Sequence, residues 1–288
     1  RAMHVDLQKG VVENGNAIHA MAVSASAPEE GGLLVVDGPV MHGCLNGASL
    51  EWGLSLSRDG QRMLFGTDRP RGSGDVSLDL YMAAWDEGQQ LFTDCRKLTA
   101  VSSPSWDTGG SISADGSTLY FESDRLGDGH FPGHIFSATW DSQEQDFVRP
   151  EIVEELKTLP GTQYRPSISA SGHELHFIVE PHDFSRNTEL WVAWRHALDE
   201  PFRSERARPL DEINSPHDDF SPVLSADGKV LLWTGWVTDG PAGGSDFSAS
   251  SIWMATRADA FDPEKHVEPP RFGDVRKLAL SVPVNAYN

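Results

Sequence analysis

The sequence predicts an all-β chain, a β-propeller of five four-stranded antiparallel blades, on two observations. Four turn signals, Asp59-Gly60, Asp115-Gly116, Ser171-Gly172 and Asp227-Gly228, put their glycines at 60, 116, 172 and 228, a spacing of 56 each time. The apolar segments on either side of these turns recur in one register. A period of this length, with short strands inside it, marks a sheet repeated radially.

Each blade element has its own signal. Before the turns run Leu54-Ser55-Leu56-Ser57, Ser111-Ile112-Ser113, Ser167-Ile168-Ser169 and Val223-Leu224-Ser225, which alternate as a first strand should. The turn glycine accepts the positive φ that a hairpin needs. After it come Met63-Leu64-Phe65, Leu119-Tyr120-Phe121, Leu175-His176-Phe177 and Val230-Leu231-Leu232-Trp233 as second strands. Third strands follow at Leu80–Trp85, Ile135–Trp140, Leu190–Trp194 and Ile252–Thr256. A weaker fourth lies near Phe92, Phe147, Phe202 and between Phe272 and Leu278. No segment keeps a 3.6-residue apolar period, so helix should be minor.

Ser111-Ile112-Ser113-Ala114-Asp115-Gly116, Leu119–Arg125 and Ser221–Gly228 resemble the PD40 repeat of TolB-like propellers, as do Thr67-Asp68-Arg69-Pro70 and Asn214-Ser215-Pro216. The resemblance spans about residues 50–280 and implies a propeller, and with it a secreted or periplasmic location. It is silent on activity, because one fold hosts many functions. Repeat blades fall at 50–105, 106–161, 162–217 and 218–278, within a single domain of 1–288. Residues 1–49 lack the Asp-Gly hairpin but offer Ala17–Ser24 and Leu33–Val36 as strands. Together with 279–288 they are expected to form a fifth, closing blade.

Composition bounds the function. With 23 basic against 43 acidic residues the net charge is −20, which repels phosphate backbones and argues against nucleic acid. No apolar run approaches the roughly 20 residues that span a bilayer, so no membrane insertion is expected. Cys44 and Cys95 are too few for a zinc site; they are either bonded to each other or two separate thiols.

The candidate site is the channel mouth, where loops entering the first strands meet those joining the second and third. Nine residues before each turn glycine stand Glu51, Asp107, Gln163 and Asp219, a ring if the blades are equivalent. Beside them lie Trp52, Trp106, Tyr164 and Phe220, with Arg165 added in one blade. Acids and amides suit hydroxyls and aromatic rings suit sugar C–H faces, so a glycan or small polar ligand is the expected partner. Carboxylates ~6 Å apart repel by about 2.8 kcal/mol at an effective dielectric of ~20. Glu51, Asp107 and Asp219 would therefore share a proton, lean on Arg165, or hold a hard cation, for which Ca²⁺ is the natural choice. The structural alternative is that these acids bond to nearby backbone amides and staple the blades.

A second set, eight residues after the glycine, comprises Asp68, Asp124 and Glu180; Arg69 and Arg125 follow the first two, and this Asp-Arg pair reads as structural. His130, His134, His182 and His217 sit in loops without equivalent repeat positions. Oligogalacturonate lyases, which resemble TolB propellers, use a histidine-rich metal site on this face, and these spacings do not carry it over. The Gly243-Gly244-Ser245 stretch reads as an insertion beside the mouth, not a nucleotide cradle. Three functional readings follow: a ligand-binding propeller outside the cytoplasm, a carbohydrate-active enzyme (glycoside hydrolase or polysaccharide lyase) using the mouth acids, and a protein-binding scaffold with an idle channel.

Overall fold

The computed structural model describes residues 44–45, 49, 51–69, 77–89, 91–128, 133–181, 187–236 and 250–278, together with short strand pairs nearer the two ends. Four four-stranded antiparallel sheets follow one another in chain order. Blade I is built from Glu51–Leu56, Arg62–Thr67, Asp79–Asp86 and Leu91–Lys97. Blade II uses Asp107–Ile112, Thr118–Ser123, His134–Asp141 and Asp146–Ile152. Blade III uses Thr162–Ile168, Glu174–Glu180, Glu189–Trp194 and Ala207–Pro209. Blade IV uses Asp219–Leu224, Val230–Trp236, Ser250–Thr256 and Gly273–Lys277. The blade III outer strand is short because Ser204–Arg206 turns as a 3-10 helix before it.

The turn glycines behave alike. Gly60, Gly116, Gly172 and Gly228 have φ of +71°, +75°, +74° and +71°. Each donates its N–H to the carbonyl three residues back, at Ser57, Ser113, Ser169 or Ser225. In three blades that serine hydroxyl also donates to the turn aspartate: Asp59, Asp115 or Asp227. The hairpin is thus written locally, which is why the grid is legible.

Inner strands of consecutive blades pack on one another around the axis. The cores lie between blades: Leu64, Leu80 and Leu98 of blade I meet Leu119, Phe121 and Phe147 of blade II. Tyr120 and Ile135 meet Leu175, Phe177 and Phe202 across the next seam, and Tyr164 and Ile178 meet Leu231 and Trp233 across the third. Cys44 and Cys95 form a disulfide, which ties Leu45 onto Met63, Phe65 and Phe92 of blade I.

The described residues show four blades rather than five. Near the ends, Met3–His4 pairs with Ser24–Ala25, and His19–Ala20 with Val40–Met41. Leu280–Ser281 pairs parallel with Leu34–Val35, so residues from both ends meet, but in two-residue pairs rather than one four-stranded sheet.

Candidate functional site

The ring positions are filled as the repeat predicts, and their side chains are turned to structural partners. Asp107 is wholly buried: Oδ2 accepts from the Ser103 amide (2.5 Å) and hydroxyl (2.8 Å), and Oδ1 accepts from Arg125 Nη2 (2.6 Å). Asp219, also buried, accepts from the Ser215 amide (2.7 Å) and the Trp233 indole N–H (2.9 Å). Gln163 donates to the carbonyls of Leu159 and Gly161. Glu51 meets Arg69 at 3.4 Å. Among the described residues no three acids, histidines or cysteines are grouped to hold a metal, Glu51, Asp107 and Asp219 included. Asp107 and Asp219 instead have both oxygens bonded within their own blades and entering loops, and Glu51 meets Arg69.

The Asp-Arg pairs do this work. Arg69 Nη2 donates to the Cys44 carbonyl and Glu51, and its guanidinium lies over Phe65 and Tyr81 at 5.4 and 5.5 Å. Arg125 repeats the arrangement on the Val101 carbonyl, Asp107, Phe121 and Phe136. Asp124 accepts from the Trp106 amide at 2.7 Å. These residues cap and bridge, the role their pattern suggested.

Two positions further along, the inner strands bulge. Gly53, Gly109, Arg165 and Ser221 share one place in the repeat, and all have positive φ, from +51° to +61°. In blades I and II glycine takes that conformation freely; in blade III an arginine is held there. Its N–H donates to Glu122 Oε2 of blade II (2.7 Å), and its Nε lies 4.0 Å from the same oxygen. A side chain at Gly109 would come within 2.7 Å of that carboxylate, so the glycine makes room for it. The guanidinium lies beside Gly53, against blade I.

Glu122 is buried, and that burial raises its pKa, with Arg165 only partly offsetting it. Tyr164 donates to Glu180 Oε2 at 3.0 Å. Burial first, then the Glu180 charge, pushes the Tyr164 phenol well up, and Glu122 and Arg165 also act on it. Tyr164, Arg165, Glu122 and Glu180 are therefore one electrostatic cluster. Asp219 also has a raised pKa, from burial and then from Asp218, against the Ser215 and Trp233 hydrogen bonds.

Of the predicted aromatics, Trp106 is 36% exposed, Phe220 is half-buried against the blade III–IV core, and Tyr164 is buried. The Trp52 side chain, His130, His182 and Gly243–Ser245 lie outside the described residues. His134 is buried between Asp128 and Gln163, and His217 sits in the Ser215 turn.

Sequence reasoning missed Glu122 as a site residue, because its partner lies 43 residues away across a seam. The shared register of Gly53, Gly109 and Arg165 was a signal for the bulge. It also missed the stapling serines, although Ser103-Pro104 and Ser215-Pro216 each precede their aspartate by the same interval.

No family model and no curated protein match the sequence. Solved structures do: a TolB-type protein from Agrobacterium tumefaciens has a TM-score of 0.46 at 14% identity, over 90% of this chain and 73% of that one. TolB from Acinetobacter baumannii gives 0.44 and 16%, over 71% and 40%. A luciferin-regenerating enzyme gives 0.49 and 11%, over 88% and 76%. At these values none carries an activity across. The described residues form a β-propeller, and its repeat residues resemble the PD40 repeat of TolB-like propellers.

Proposed function

We propose that this propeller binds a polar, hydroxyl-rich ligand such as a carbohydrate at the channel mouth, outside the cytoplasm. The observation that carries the reading is the Glu122–Arg165 contact. A buried carboxylate with a raised pKa, set against an arginine in a left-handed conformation, marks a functional site better than a staple. Trp106, 36% exposed, supplies an aromatic surface for stacking. The disulfide supports an oxidising compartment. The pairing of Leu280–Ser281 with Leu34–Val35 supports a fifth blade, closed by segments from both ends.

Calorimetry with a panel of neutral and acidic oligosaccharides, with and without Ca²⁺, tests this. Binding is expected to weaken about tenfold in Trp106→Ala, the worth of a stacking contact, and to change in Glu122→Gln. Parent-like affinity in both variants, or no binding across the panel, rejects the site. Enzymatic cleavage is the second reading, favoured by two acids, Glu122 and Asp219, whose pKa values are raised as a general acid requires. Shortened oligosaccharides in the same mixtures would establish it.

A further inference from the structure

We propose that blades III and IV build a docking surface around Leu198 and Val267, on the face opposite the mouth, for a protein segment that alternates apolar with basic side chains. The inference is independent of the ligand reading, and its starting point is an asymmetry between blades. In blade I the third strand ends at Asp86 and the fourth begins at Leu91; in blade II the ends are Asp141 and Asp146. The same connections in blades III and IV run from Arg195 to Arg206 and from Arg257 to Phe272. Connections of that length in a compact sheet fold are uncommon unless they serve a function. Both lie on the face of the hairpin turns, where Arg195 Nε donates to the Gly172 carbonyl at 2.9 Å and Arg257 Nε to that of Gly228 at 2.7 Å.

The two connections are bonded internally and to each other. Glu200 Oε2 accepts from the amides of His196 (3.2 Å) and Ala197 (3.4 Å) and from Arg206 Nη1 (2.9 Å). The His266 amide donates to the Asp262 carbonyl at 2.8 Å, and the Asp262 amide to His266 Nδ1 at 3.1 Å. Across the seam, the Trp194 indole donates to the Val267 carbonyl at 2.9 Å, and His196 Nε2 lies 3.3 Å from the His266 carbonyl. The His196 ring also stands edge-on to Phe261, 5.9 Å between centroids. On this fixed backbone Leu198 is 57% exposed and Val267 85%, with Pro201 exposed beside Leu198 in sequence. Scattered apolar side chains are ordinary, but two held out by cross-bonded loops form a surface that a partner would stabilise by covering.

The charges select the occupant. The surface cations of the two connections are already met: Arg203 by Glu205, Arg206 by Glu200, Lys265 by Asp262 and Arg271 by Glu212, at 3.8, 2.9, 2.5 and 3.2 Å. Asp199, Asp259, Glu264 and Glu268 are exposed and form no ion pair among the described residues. Lys265 feels the surplus: Asp262 raises its pKa most, and Glu264 and Asp259 add to it. Excess negative charge around an aliphatic patch favours a partner whose apolar residues are flanked by cations. It disfavours a second copy of this chain, since a two-fold pairing would set these acids against themselves. Anionic lipid is disfavoured by the same repulsion.

Two fluorescent peptides of equal length and charge test the surface, one alternating lysine with leucine and the other lysine with serine, each titrated against the full chain by anisotropy. The lysine–leucine peptide should bind more tightly, and its affinity should fall as salt is added. Leu198→Ser and Val267→Ser leave every charge in place. Each should weaken that peptide about tenfold, the worth of one buried aliphatic side chain, and leave the lysine–serine peptide unaffected. Both side chains are exposed, so the variants should melt with the parent. Hydrogen exchange of the complex should show new protection at 196–203 and 262–268. Equal affinity for the two peptides, parent-like binding in both serine variants, or protection placed elsewhere overturns the proposal. A dimer of the free protein that Val267→Ser dissolves also overturns it, in favour of a second copy.

Discussion

Blades I and II treat the acid at the head of the inner strand differently from blades III and IV. In the first two, an arginine from the same blade crosses to the acid, to a carbonyl of the incoming loop and to two aromatic faces. At the equivalent place blades III and IV have Pro181 and Val237. Without the arginine the position either loses its charge, as in Gln163, or keeps an acid that burial disfavours, as in Asp219. The outer seams divide the same way. Trp85 and Trp140 pack edge-on to Phe92 and Phe147, whereas Arg195 and Arg257 lie over Phe202 and Phe272, each bonded to its turn-glycine carbonyl. Blades I and II clamp the head acid with an arginine of the same blade, and blades III and IV do without one.

The largest effect should come from breaking a clamp. Asp107 has no exposure, so Arg125→Ala leaves a buried charge and should cost about 3–5 kcal/mol in urea denaturation. Adding Asp107→Asn should restore part of this by removing the charge. Arg69→Ala should cost less, about 1–3 kcal/mol, since it meets the buried Glu51 at 3.4 Å where Arg125 meets Asp107 at 2.6 Å. Equal losses in the two single variants would break the comparison.

What the sequence revealed follows the same division between local and distant partners. The 56-residue grid was readable because each turn is closed by residues two or three apart: Ser57 with Asp59 and Gly60, Ser113 with Asp115 and Gly116. The Asp-Arg motif was read correctly as structural for the same reason. The ring positions were located, but a register gives no account of which donors satisfy a carboxylate, and so the bonds of Asp107 to Ser103 and of Asp219 to Ser215 were not legible. Glu122 and Arg165 meet only because a backbone bulge turns one strand toward the neighbouring blade, and no local pattern encodes that approach. The number of blades was harder still, since residues 1–49 lack the Asp-Gly turn that marks the other four units.

The seam between blades III and IV provides the next test. Glu174 is buried and takes a two-pronged contact from Arg257, at 2.9 and 2.7 Å, with His176 3.7 Å away. Burial opposes its charge, but the two Arg257 hydrogen bonds, with the His176 ring 3.7 Å away, win and hold its pKa below the ordinary 4.5. Its contribution is thus complete above about pH 4.5 and is lost as pH falls through the depressed folded value. Glu174→Gln should cost about 2–3 kcal/mol at neutral pH, somewhat less than an orphaned charge because Arg257 keeps the carbonyls of Gly228 and Pro270. The cost should shrink on acidification, as read from melting temperatures of parent and variant at matched pH. A cost that does not change with pH would mean that Glu174 packs the seam without using its charge.

Asp219 should show the opposite slope, on a smaller scale. Burial is the largest influence on it and Asp218 adds repulsion, so its folded pKa lies above the ordinary 3.8 despite the bonds from Ser215 and Trp233. Below 3.8 the acid is protonated folded or unfolded, and it contributes no pH dependence. As pH rises from there through the folded value, the unfolded chain ionises more readily, and the parent loses stability. Asp219→Asn cannot ionise and escapes that loss, although its amide nitrogen faces either the Ser215 amide or the Trp233 indole as a mismatched donor. The mismatch should cost about 1 kcal/mol at pH 4 and be partly or wholly offset at pH 8, so the melting curves of parent and variant converge as pH rises. Divergence with rising pH would show that the ionised carboxylate stabilises blade IV. The arginine clamp of blades I and II would then have a working substitute in Ser215 and Trp233, and the contrast between the two halves would disappear at this position.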